Sequence, residues 1–245
     1  IRLETVLNLI CSESFTSKDL WKQVKPILRQ IESPEGILIF DDTIIEHEWT
    51  EENEISCYHF DQSKNKLIKG INLLNLIYYH NDILMPLSFH IIKKEVTFCD
   101  IKTKQLKRKN LVTKNEILHK MFLQIIKNSV KFKYVLFDSW FGSKATFELI
   151  RKKKYHFISK IKDNRLIALS SYDKKKNLLY EIKELNLAVG ACIKGWLPGY
   201  SHEVLISHQI IINKDGTKSS INLVCSDISL DTNHINLIYQ KILYK

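Results

Sequence analysis

Apolar and polar positions alternate along this chain with two different periods, and the changes of period mark out its elements. Before residue 36 the period is helical. After Ser17 the apolar positions Leu20, Trp21, Val24 and Leu28 recur at helix spacing, and Ser33-Pro34-Glu35-Gly36 ends the run. Ile37-Leu38-Ile39-Phe40 is then apolar without a break between turn-forming residues, the mark of a strand covered on both faces, and it ends on Asp41-Asp42-Thr43. Gly70 to Tyr79 reads as another strand, His80-Asn81-Asp82 as a turn and Ile83 to Ile92 as its hairpin partner, which makes an antiparallel trio with the first strand. The basic stretch from Lys102 to Asn110 has no period and reads as a loop. Thr113 with Glu116 has the form of a capping box and opens a helix whose Ile117, Met121, Ile125 and Ile126 share a face. Tyr134-Val135-Leu136-Phe137 is a second buried strand, ending on Asp138-Ser139. Ser143 caps a helix running through Phe147, Leu149 and Ile150 to Lys154, and His156 to Ile161 forms one more strand. From Leu166 to about Ile228, Gly190, Gly195, Gly199 and Asp215-Gly216 punctuate short apolar segments, and the region reads as mostly β. Residues from Asp231 to Tyr244 begin a helix, with Ile235, Ile238 and Ile242 on related faces.

Composition narrows the class. The 245 residues are 44% hydrophobic and 26% charged with only 7 Gly and 4 Pro, which excludes fibrous and low-complexity chains. No apolar run approaches the roughly 18 to 20 residues of a membrane span. The 5 cysteines form no Cys-x-x-Cys pair, so reduced thiols and a cytoplasmic home are expected in place of a disulfide framework or zinc site. Cys57-x-His59 lacks a second ligand pair. Ile1 opens the chain and the earliest methionine is Met85, so a fragment is expected. Residues 1–60 hold 5 Lys+Arg against 12 Asp+Glu, whereas residues 101–165 hold 18 against 4. That basic block suits a polyanion such as nucleic acid, and it also suits a solvated helix face. Lysine outnumbers arginine 32 to 5, so a nucleic acid would be held by its backbone more than read by its bases.

Asp42 and Asp138 each follow a buried strand, where open α/β sheets place binding and catalytic groups. Two such carboxylates with a third nearby hold a pair of Mg²⁺ ions about 3.5 to 4 Å apart for phosphoryl transfer. Asp also ends strands simply as a turn or cap former. Spacing leaves both readings open.

Four ordered blocks carry a resemblance: Phe40-Asp41-Asp42-Thr43, Lys69-Gly70-Ile71-Asn72, Val135 to Phe141, and His156-Phe157-Ile158 leading to Lys160-Ile161-Lys162-Asp163-Asn164-Arg165. Together they resemble bacterial insertion-sequence DDE transposases of the IS-four type, from about Ser17 to Lys241. The resemblance implies an α/β fold, a ribonuclease H-like mixed sheet flanked by helices with a mostly β insertion. It divides the chain into an N-terminal helical segment (1–36), a catalytic core (37–165), a β-rich insertion (166–228) and the start of a catalytic helix (229–245). It implies Asp42, the acid immediately before Thr43, and Asp138 as catalytic residues and ligands of Mg²⁺ or Mn²⁺. It also implies DNA contacts by Lys162, Arg165 and Tyr239, double-stranded DNA (transposon ends and target) as partner, a homodimer on DNA as the oligomer, and a bacterial cytoplasmic setting. The family's third acid belongs to a signature of Tyr, two residues, Arg, three residues, Glu, six residues, Lys. Counted from Tyr239, its Arg position is Ile242 and its Glu falls beyond Lys245. The expectation is therefore a transposase core, truncated or frameshifted and inactive as it stands, with a catalytically dead remnant that only binds DNA as the alternative.

Overall fold

A computed structural model describes residues 15–61, 64–212 and 216–241. In chain order the elements are α1 (Ser17–Ile31), β1 (Ile37–Glu46), β2 (Ser56–Asp61), β3 (Lys66–His80), β4 (Ile83–Ile91), β5 (Val96–Cys99), β6 (Leu106–Lys109), α2 (Lys114–Lys127), β7 (Tyr134–Phe137), α3 (Lys144–Lys152), β8 (His156–Ile161), β9 (Leu166–Ile167), α4 (Ser171–Lys176), β10 (Tyr180–Glu181), β11 (Cys192–Gly195), β12 (Val204–Ile212), β13 (Lys218–Cys225) and α5 (Thr232–Gln240). No helix among the described residues is long and apolar enough to cross a membrane.

Nine strands join in one mixed sheet, ordered β11-β12-β13-β8-β7-β1-β3-β2, with β4 also paired to β3. The apolar run at Ile37 makes β1 the centre of this sheet. It lies parallel to β7 over Ile37–Ile39 and antiparallel to β3 from Ile37 to Glu46. β7 in turn lies parallel to β8. The turn from β3 to β4 uses Asn81 and Asp82 at φ 46° and 60°, the left-handed pair that matches strand twist in a two-residue hairpin.

Alternation along the strands divides the apolar side chains into two cores. Leu38, Phe40, Leu74, Leu76, Val135 and Phe137 pack under α1, α2 and α3, which contribute Leu28, Phe122 and Phe147 among others. On the opposite face Ile37, Ile39, Tyr134 and Leu136 pack with Ile235 and Tyr239 of α5. Helices therefore flank both faces of the sheet, an arrangement compatible with the ribonuclease H-like expectation.

Several elements differ from their expected extents for physical reasons. Thr16, not Ser17, caps α1, because Thr16 and Asp19 close a capping box while the Ser17 hydroxyl meets Ser88 on β4. β1 runs through the aspartates to Glu46, since β3 supplies hydrogen bonds well beyond the apolar run. Part of the expected loop at Lys102 to Asn110 is strand β6, paired with β5. Within 166–228, β12 and β13 extend the main sheet through pairing of β13 with β8, and α4 is helical. The capping box at Thr113 and Glu116, the Ser143 cap and β7 and β8 lie where the pattern put them. Residues 1–14, Asp215, Ile242 and Tyr244 lie outside the described residues.

Candidate active site

Pairing between β1 and β7 stops at Ile39 and Leu136, and beyond that point each chain turns from apolar to acidic. β1 continues along β3 alone, while the chain after β7 bends into the 3-10 turn Ser139–Phe141. A gap opens between them, and the carboxylates meet solvent there. Side chains alternate along a strand, so Asp42 continues the face of Leu38 and Phe40, and Asp41 that of Ile37 and Ile39. Asp138, still extended at φ −76° and ψ 164°, continues the face of Tyr134 and Leu136. Carrying the register two residues past Ile39 and Leu136 sets Asp41 opposite Asp138 on the α5 side. Asp42 leaves the sheet on the α2 side.

The neighbours of each acid agree with that division. Asp42 accepts from Asn72 Nδ2 at 3.4 Å and forms a close ion pair with Lys114, the first residue of α2. Asn72 is buried, and its Oδ1 has no partner among the described residues. Lys94 lies nearby, its pKa lowered by burial and by Lys114. Burial, helped by Lys94 and Lys114, pushes His59 down to about 4, so its ring is neutral, and the Cys57 sulfur lies 3.4 Å from its Nε2. On the other side, burial raises the pKa of the Tyr239 phenol, and the negative charges of Asp138 and Asp41 add to the effect. Asp138 accepts from the Ser139 amide at 2.6 Å, which fixes its rotamer at the head of the 3-10 turn. Phe141 buries the end of that turn and leaves Trp140 54% exposed. Asp41, Asp42, Lys94, Lys114, Asp138 and Trp140 all line one cleft of about 490 Å³.

The structure brings the sequence candidates together unequally. Asp42 and Asp138 share the cleft but leave opposite faces of the sheet. Lys162 and Arg165 line an adjoining groove with Ser139 and Trp140, where Arg165 donates to the Gly142 carbonyl at 3.2 Å. Tyr239 is only 4% exposed, in the core under α5, and as folded presents no surface to DNA. The expected contact is corrected to a packing position behind Asp41 and Asp138. Asp227, another buried acid, accepts from the Tyr134 hydroxyl and Ser229 and acts as a structural anchor. Among the described residues no group of three or more His, Cys, Asp and Glu converges as a metal site. Sequence reasoning gave no site role to Lys114, nor to Asn72 and Trp140, which fall in the blocks that carry the resemblance, and it treated Asp41 only as a neighbour. One signal was present for Asp41: two buried runs of equal length, Ile37–Phe40 and Tyr134–Phe137, set the residue after each opposite the other in a parallel pair.

Residues 11–172 match the family model described as DDE superfamily endonuclease. No curated protein matches the chain. Among solved structures, the chain is similar to the NurA nuclease from Sulfolobus solfataricus at 9% identity, over 100% of this chain and 87% of that one, with a TM-score of 0.37.

Proposed function

The chain belongs to the DDE superfamily of endonucleases, whose chemistry is generally divalent-metal dependent, and we propose that it is the catalytic core of an insertion-sequence transposase that cuts double-stranded DNA at transposon ends. The observation that carries this reading is that Asp41, Asp42 and Asp138 line one cleft where β1 and β7 part. Carboxylate oxygens are the hard donors that Mg²⁺ or Mn²⁺ takes. Asp41 and Asp138 fit such a cation. Asp42, expected as the first ligand, meets the Lys114 ammonium and the Asn72 amide, which a cation bound to it would displace. When bound, the cation would polarise the phosphoryl group and activate the attacking water or 3′-hydroxyl.

The remaining work falls to the protein's own side chains. Asp138 is oriented by the Ser139 amide before any substrate arrives, which avoids reorganisation during the reaction. Lys162 and Arg165, in the groove beyond Trp140, would hold the phosphate backbone on one side of the acids. Lys94 and Lys114 would do so on the other. A second reading, a remnant that binds DNA without cutting it, is favoured by the lack of a third converging ligand among the described residues.

Plasmid nicking in Mg²⁺ separates the two. The 245-residue chain is expected to bind DNA without nicking it. A version extended beyond Lys245 by a helical segment carrying the Arg, Glu and Lys of the signature is expected to nick. Asp41→Asn or Asp138→Asn should abolish that activity, with Asp42→Asn less damaging. Nicking that survives both Asp41→Asn and Asp138→Asn would refute the site. Nicking by the unextended chain, lost on Asp138→Asn, would show a third ligand already within it.

A further inference from the structure

Strands β5 and β6 form a separate two-stranded sheet, with Val96 opposite Lys109 and Cys99 opposite Leu106. The residues leading into and out of this hairpin, Ile92 and Lys94 before it and Asn110 and Lys114 after it, line the acidic cleft, so the hairpin stands on the cleft's rim. Its turn is a built structure. The Asp100 carboxylate accepts from the Lys102 and Thr103 amides at 2.9 and 3.0 Å and from Lys107 Nζ at 2.6 Å, and the Asp100 amide donates to Gln105.

The surface of the hairpin is unusual in two respects. Residues 93–110 carry six Lys and one Arg against Glu95 and Asp100. Lys93, Lys107 and Arg108 are paired with Glu54, Asp100 and Glu52, but Lys102, Lys104 and Lys109 form no ion pair among the described residues. At the same tip, Ile101 is 93% and Leu106 78% exposed. A two-stranded hairpin is marginal in water by itself, and exposed apolar groups among lysines without acidic partners suit a polyanion with an apolar interior.

We propose that the β5–β6 hairpin is a DNA-gripping ribbon that enters the major groove beside the cleft. Lys102, Lys104 and Lys109 hold flanking phosphates, while Ile101 and Leu106 lie against base edges. This rests on the proposed function and adds where the duplex is held. Two strands about 4.8 Å apart fit a B-form major groove about 12 Å wide. The major groove of duplex RNA is too deep and narrow to admit them. Lysines without bidentate geometry imply grip with little base preference.

Fluorescence anisotropy with a labelled DNA duplex, repeated over a range of salt, tests the proposal on the full chain. The triple variant Lys102→Glu/Lys104→Glu/Lys109→Glu should weaken binding at least tenfold and flatten the log–log salt dependence by about two to three, one for each phosphate that no longer meets a lysine. Ile101→Ser/Leu106→Ser should weaken it severalfold with little change of slope. A matched control, Lys127→Glu/Lys131→Glu/Lys154→Glu, alters exposed lysines at the end of the sheet away from the acids and should have a much smaller effect. Unchanged melting temperatures establish that the variants fold. If wild type binds DNA and the hairpin variants bind equally, or the control is equally impaired, the hairpin is not the grip and the functional reading stands. If the variants lose duplex RNA as severely as DNA, insertion into the groove is wrong. If wild type binds anionic vesicles and no duplex, both the hairpin proposal and the functional reading fall.

Discussion

Adjacent residues of one strand serve opposite faces, and Asp41 and Asp42 accordingly belong to different environments. Asp42 sits in a basic, half-buried corner with Lys114, Lys94 and His59, while Asp41 faces Asp138 and Tyr239. His59 gives this corner a pH dependence. An unfolded histidine titrates near 6.5, whereas burial, Lys94 and Lys114 bring the folded one down to about 4. The fold thus holds the neutral ring. Its contribution is present above pH 6.5 and is lost as pH falls from there towards 4, with an upper bound of about 3 kcal/mol. Urea titrations between pH 7 and 4 should show that His59→Gln flattens this part of the stability profile. An acid limb identical to wild type would place the dependence elsewhere.

At the scale of elements, what was legible depended on how local the cause is. The α2 capping box and the buried runs of β1, β7 and β8 are written in neighbouring residues and were read correctly. β2 and the β5–β6 hairpin were not: β2 buries Ser56, Cys57 and His59 and exposes Tyr58 and Phe60, the reverse of an apolar-in pattern, and the hairpin's side chains are largely exposed. The continuation of β1 through Asp41 and Asp42 is caused by β3, a partner thirty residues on, which no local pattern announces. The same non-local register decides which aspartate meets Asp138. Gly70 reflects that pairing too: a Cβ there would collide with the Ile45 carbonyl of β1. Gly70→Ala should therefore cost about 1–3 kcal/mol, measurable as a lowered urea midpoint. A neutral result would mean that the strands separate there more easily than the packing indicates. Thr113→Ala removes the cap that starts α2 and sets Lys114, and should cost about 1 kcal/mol. No loss of stability in the same titration would show that the cap does not hold the helix start.

For the whole molecule, two cores on opposite faces of one sheet hold β1 and β7 rigidly side by side, and the site is the place where those strands part. The charge imbalance visible in the sequence becomes a spatial one. Acids from β1 and the end of β7 stand among lysines from the β4–α2 region, with Lys162 and Arg165 beyond β8. Such a surface would draw a polyanion over the proposed cation-binding pair. Ile242, where the resemblance sets the signature's Arg, lies outside the described residues. The central proposal is that Asp41 and Asp138 share a cation. Crystals soaked in Mn²⁺ and measured at the manganese absorption edge would locate the cation directly. The expected result is an anomalous peak shared by the carboxylates of Asp41 and Asp138, absent in Asp138→Asn. A peak on Asp42 with Lys114 displaced, or one that persists in Asp138→Asn, would contradict the pairing of Asp41 with Asp138.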